Sequence, residues 1–210
     1  MNISRRVQNR IKKYKPKNGL DNIALFLLDI AEVFHQGVVM HSEGVALLAE
    51  EVAIATGKDP KAAFFAGLFH DAGKIILPYP LYDGHSISNE EYDEVKKHAL
   101  AGFRALIKRY PFTGLCAGLH HKLYKNGYGI TIDDFPKEWS LATVKKVLEI
   151  SMIISICDFI NAFTSRKTEI KDGSDKGGAT LKEMLYAKYP EDKSTVDIAL
   201  RENGKYLVKK

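Results

Sequence analysis

A chain of 210 residues that is 45% hydrophobic, with 10 Phe, 10 Tyr and 1 Trp, suits one domain with a sizeable core, with room for a small appendage. Its formal charge of +5 is lopsided: Arg5, Arg6, Arg10, Lys12, Lys13, Lys15 and Lys17 stand in residues 1–17 without an acid, so the remainder is net negative by two. That balance is no nucleic-acid signal, and the two cysteines, Cys116 and Cys157, are too few and too far apart for a disulfide framework or a zinc ribbon.

Both cysteines lie in apolar helical patterns, where buried, reduced thiols are expected, and a reducing cytoplasm suits them. The longest apolar run, Ile150 to Cys157, is far short of the roughly 20 residues of a membrane span. The start, Met1-Asn2-Ile3-Ser4-Arg5-Arg6, leads into more charge rather than an apolar region, so neither a span nor a signal peptide is expected. The basic arm, residues 1–20, reads as a solvated, partly ordered lead-in helix; contact with a phosphate-rich ligand or an acidic partner is the alternative.

Asn18-Gly19 turns the chain, and Asp21 or Asn22 can cap a helix to about His35 whose apolar positions follow a helical period. Gly37 punctuates, and a second helix with His41 near its start stops at Gly57. Asp59-Pro60 reads as cap and first-turn proline of a third helix, which ends at His70-Asp71. After a loop with Pro78 and Pro80, Ser88-Asn89-Glu90-Glu91 is a capping box launching a helix through His98. A short apolar helix behind Pro111 leads to His120-His121, and residues 122–139 read as an exposed loop. A long helix from about Ser140 to Thr164 holds Asp158. A linker at 171–178 and two amphipathic helices, about Thr180–Tyr189 and Ser194–Asn203, complete an all-α reading without strand alternation or internal repeat.

His41, His70, Asp71, His98, His120, His121 and Asp158 are the candidate ligands, and they include five of the seven histidines. Each of these five has apolar helical neighbours, an awkward setting for an imidazole unless something binds it. Neutral imidazole and carboxylate suit Fe, Mn, Zn or Mg, and a carboxylate can bridge two ions. His35 and His85 are assigned no such role.

Read in order, His41-Ser42, His70-Asp71-Ala72-Gly73-Lys74, His98-Ala99-Leu100-Ala101-Gly102, His120-His121, Gly127-Tyr128 and Asp158-Phe159-Ile160-Asn161-Ala162-Phe163-Thr164-Ser165 resemble the HD superfamily of metal-dependent phosphohydrolases, and within it the HD-GYP branch, over roughly residues 38–205. The resemblance implies an HD-domain helical bundle over residues 21–170, with 171–210 as a linker and a small helical C-terminal cap on the same domain. It implies two divalent ions, iron or manganese first, with Zn, Mg, Ni or Co as alternatives. His41, His70, Asp71 and Asp158 would hold one, and His98, His120 and His121 the other, with Asp71 bridging. Lys74 would reach a phosphate oxygen while a water between the ions attacks phosphorus in line. The substrate class implied is a nucleotide, foremost a cyclic dinucleotide such as cyclic di-GMP. Tyr124, Lys125 and Tyr128 could stack on a base and contact phosphate, and Arg166 and Lys167 occupy the branch's basic recognition segment.

This chain departs from the branch at several positions: Lys122 and Leu123 follow the His pair, Gly129 replaces the proline of the Gly-Tyr-Pro triplet, and Thr168 replaces a proline. Gly37 stands where some members place a glutamate for a third metal, so two ions are expected. Two other readings use the same residues: a mixed-valent di-iron oxygenase, and a non-catalytic ligand-sensing domain.

Overall fold

In the computed structural model, which describes residues 3–78, 87–169 and 179–208, the Asp59 carboxylate accepts a hydrogen bond from the Ala62 N–H at 3.0 Å, with Pro60 in the first turn. This start aims the helix that carries the His-Asp pair. The described residues form nine α-helices and no strand: α1 (Ile3–Tyr14), α2 (Leu20–Phe34), α3 (Gln36–Ala55), α4 (Pro60–Phe69), α5 (Asn89–Leu106), α6 (Pro111–Leu119), α7 (Leu141–Glu169), α8 (Leu181–Lys188) and α9 (Lys193–Val208). Short 3-10 turns lie at Ala72–Ile76 and Ile132–Asp134. The Ser88 capping box opens α5 with both reciprocal hydrogen bonds formed.

Several boundaries differ from expectation. Gly19, at φ 75°, precedes α2 in place of an Asp21 or Asn22 cap. Only His35 separates α2 from α3, and Gly37 lies inside the first turn of α3, where the N–H groups need no helical partner and a glycine disturbs little. Helix α7 continues to Glu169, because no glycine or proline interrupts it there, and α9 runs past Asn203 to Val208. Pro80, His85 and the 171–178 linker lie outside the described residues.

α3 and α7 are the axis of the bundle. Val45, Leu48 and Val52 of α3 join Ile150, Ile154 and Cys157 of α7 in the main core, with Ala63 and Ala66 of α4 and Leu115 and Leu119 of α6. Cys116 and Cys157 are both free and buried. By length and composition Leu141–Ser165 could cross a membrane, but half of its apolar window is buried inside this bundle. Leu185 of α8 and Val196 and Ala199 of α9 close the same core from the C-terminal side.

The basic N-terminal segment is a docked helix rather than a solvated one. Val7 and Ile11, one turn apart, are buried with Leu47 and Phe64. On α3, Glu50 is 1% exposed and accepts from Arg10 Nε at 2.7 Å and from the Tyr14 hydroxyl. Arg10→Ala would leave that buried carboxylate with the Tyr14 hydroxyl but without its counter-charge. Because the arginine is itself a third exposed, the expected loss is about 1–3 kcal/mol rather than the larger cost of a fully buried pair. Thermal melts should show it, with Tyr14→Phe losing about 1 kcal/mol.

The 122–139 segment is also less exposed than its composition suggests. Ile130 and Phe135 are buried, and the Tyr128 and Ile130 N–H groups donate to the carbonyls of His121 and Gly118 at 3.0 and 3.1 Å. These bonds sew the loop to the end of α6 and set Tyr128 beside the histidine pair.

Candidate metal centre

Five elements bring the candidate ligands together. His41 comes from α3, His70 and Asp71 from the end of α4, His98 from α5, His120 and His121 from the end of α6, and Asp158 from α7. His70, Asp71, His98 and His120 are each at most 1% exposed. Local geometry aims the rings: Nδ1 of His70, His98 and His120 lies 2.7, 2.6 and 2.7 Å from the carbonyls of Gly67, Val95 and Ala117, each three residues earlier. A carbonyl only accepts, so Nδ1 carries a proton, and in the neutral ring each Nε2 turns a lone pair inward. His41 Nδ1 instead meets Asn161 Oδ1 at 2.8 Å.

Asp71 divides the cluster. Its Oδ2 lies 3.3 Å from His70 Nε2 and 3.6 Å from His41 Nε2, while Oδ1 lies 3.2 Å from His98 Nε2 and 3.9 Å from His120 Nε2. Asp158 Oδ1 is 2.9 Å from His41 Nε2, and its Oδ2 is 3.8 Å from His121 Nδ1. Asp71, His98, His120 and His121 form one set able to hold an ion, and His41, His70 and Asp71 another; ligand atoms within each set lie within 4.8 Å of one another.

The donor set fits a divalent metal. Asp71 Oδ1 is buried without a hydrogen-bond partner, and the nearest imidazole nitrogens face it with lone pairs. Acceptors crowded on acceptors are costly unless a cation lies among them. Ligand atoms about 2.0–2.2 Å from one ion stand roughly 3–3.5 Å apart, close to the separations here.

Electrostatics reinforce the fit. Burial raises a carboxyl pKa, but His70 and Lys74 outweigh it at Asp71, as His41 and His121 do at Asp158, and both stay well below the usual range. Burial pushes His98 down to about 4 and His121 to about 3, against the pull of Asp71 and Asp158 respectively. Burial also disfavours charge on His70, but Asp71 prevails and raises it.

A pH dependence follows for the metal-free protein. His98 and His121 have folded pKa values below the unfolded value near 6.5, so between about 6.5 and 4 the unfolded chain binds more protons and stability falls as pH falls. Melting temperature should drop through that window, and His98→Gln should flatten the drop.

Around the cluster, Lys74 Nζ sits 2.6 Å from Asp71 Oδ2. The Tyr128 ring lies 4.7 Å from that of His121 at 31°, and the Tyr124 hydroxyl is 3.4 Å from His121 Nδ1. Lys125 is exposed, and the side chains of Arg166 and Lys167 lie outside the described residues. His35 is buried between α2 and α3, outside the ligand sets. Residue-by-residue reading missed Asn161 as the partner of His41, and it gave Gly73, inside the His70-Asp71 motif, no packing role. A Cβ on Gly73 would lie 2.0 Å from the His98 carbonyl oxygen, so only glycine lets α5 approach Asp71. The spacing of Gly73 and Gly102 beside the two histidine motifs was the available signal.

An all-α bundle that gathers five histidines and two aspartates into one largely buried cluster defines a candidate divalent-metal centre. The HD domain family matches residues 38–160, more than half of the chain, and the chain belongs to that family. The fold is similar to the HD domain of the L. monocytogenes phosphodiesterase PgpH, at 20% identity and a TM-score of 0.50 over 86% of this chain and 98% of that one. The same domain in complex with cyclic-di-AMP aligns at 18% identity and a TM-score of 0.51, over 86% and 97%. No curated protein matches the sequence.

Proposed function

We propose that the chain is a binuclear phosphodiesterase acting on a cyclic dinucleotide. The observation that carries this reading is Asp71, whose two oxygens face two separate imidazole sets. His41, His70, Asp158 and Asp71 would hold one divalent ion, and His98, His120, His121 and Asp71 the other, with iron or manganese as first choices. Bound ions supply a water acidic enough to attack at neutral pH and a Lewis-acid hold on the phosphate.

The chain's own residues do the rest. Lys74, partly exposed, exchanges its Asp71 contact for a phosphate oxygen and balances charge there. Tyr128, beside His121, offers a surface on which a base can stack, with Lys125 exposed in the same segment, while Tyr124 packs on the core with Lys188 over its ring. Arg166 and Lys167 follow Asp158 by about two helical turns, roughly 12 Å, a reach suited to the second phosphate of a cyclic dinucleotide. The likeness in fold to a domain solved with cyclic-di-AMP supports that ligand class and puts cyclic di-AMP beside cyclic di-GMP as a substrate to test.

The test is hydrolysis of cyclic di-AMP, cyclic di-GMP and bis(p-nitrophenyl) phosphate by Mn²⁺-reconstituted protein. Turnover of a cyclic dinucleotide is expected, and cleavage of cyclic di-GMP would also support the HD-GYP branch. Metal-loaded protein that cleaves none of the three would overturn the proposal, and oxygen uptake with a small polyol or phosphonate would replace it with the oxygenase.

A further inference from the structure

Three of the inward-facing histidines are held by their own helices, through the carbonyl three residues back. His41 is held from across the bundle. Its Nδ1 lies 2.8 Å from Oδ1 of Asn161, 120 residues away on α7 and three residues after Asp158. Asn161 and Asp158 therefore share one helix face and grip the two nitrogens of one ring, with Nε2 2.9 Å from Asp158 Oδ1.

That grip creates a choice between tautomers. With the proton on Nδ1, His41 donates to Asn161 and keeps the Nε2 lone pair for a metal. With the proton on Nε2, the ring would donate to Asp158 Oδ1 instead, and one hydrogen bond would consume two ligands. An acceptor at Nδ1 decides between these states, as outer partners of metal-bound histidines generally do. The seat for that acceptor is built in. Gly44, one turn after His41, leaves room for the Asn161 amide, whose nitrogen would lie 2.3 Å from any Cβ placed there.

We infer that Asn161 is a positioning residue that stops His41 from closing on Asp158 and keeps both as metal ligands, with Gly44 as its seat. This rests on the metal-centre reading above. It adds a residue to which no metal-ligating or substrate-contacting role was assigned.

The experiment compares wild type, Asn161→Leu and Asn161→Asp by cobalt titration of metal-free protein, followed in the visible absorption bands and by bound metal per chain. Imidazole ¹⁵N shifts of metal-free protein, taken above about pH 8 where an ordinary imidazole is neutral, report the tautomer of His41. Leucine keeps the branched shape of asparagine but accepts nothing. It should weaken one class of cobalt about 10–100-fold, spare the other, and move the His41 proton to Nε2. Aspartate accepts the same bond and should keep both classes. Equal affinities in all three proteins, or equal losses in Leu and Asp, would overturn the inference. A wild-type His41 protonated on Nε2 would overturn it even if the leucine variant failed to fold. A wild type that takes up no cobalt while its tautomer is as expected would instead count against the metal-centre reading itself.

Discussion

Asp71→Ala is expected to remove bound metal and to lower phosphodiester turnover by about 10³-fold or more. The carboxylate lies between two imidazole sets and also meets Lys74 at 2.6 Å, so no other side chain can replace its contacts. Without it, two groups of neutral donors face each other and Lys74 loses its counter-charge. Lewis-acid stabilisation of several kcal/mol disappears with the ions, and each 1.36 kcal/mol is a factor of ten. Asp71→Asn preserves volume but not charge. A loss shared by both variants, in metal content as well as kcat, would assign the effect to charge. Retention of full activity by either variant would refute the binuclear reading and favour a ligand-sensing role.

Gly73→Ala should also be damaging, although to a lesser degree, and it reaches no ligating atom directly. The new Cβ would stand 2.0 Å from the His98 carbonyl oxygen and 2.7 Å from the Gly102 nitrogen, both backbone atoms that cannot rotate aside. The 3-10 turn and α5 must separate, and His98 Nε2 leaves its place 3.2 Å from Asp71 Oδ1. Overpacking of this kind costs about 1–3 kcal/mol, which for a chain of this size lowers the melting temperature by roughly 2–12 °C. A displacement near 1 Å at the site can remove about 10²-fold of the rate. Gly102→Ala is the control, because its Cβ meets Gly73 N only at 3.3 Å and Ala117 Cβ at 3.5 Å. Similar melts and rates for the two variants would show that close approach at Gly73 is not what holds α5.

The helices and the candidate ligands were legible because their signals are local. Asp59-Pro60 and the Ser88 box start helices by satisfying N–H groups within four residues, and both starts are found as read. His70, His98 and His120 orient themselves through carbonyls three residues back, so chain order alone carries much of their geometry. Helix ends were less legible where nothing local stops the helix, as in α7 beyond Thr164.

The all-α character, the ligand types and the order in which they occur were determined by the sequence by itself, through periodicity, capping and short-range hydrogen bonds. Only the tertiary structure decided that Arg10 and Tyr14 dock the basic helix on Glu50, that Tyr128 leans on His121, and that Asn161 rather than a local carbonyl holds His41. The physical reason is range. Those contacts join residues from 7 to 120 positions apart, and each forms only once its two elements have packed: α1 on α3, the 122–139 segment on the end of α6, and α3 on α7.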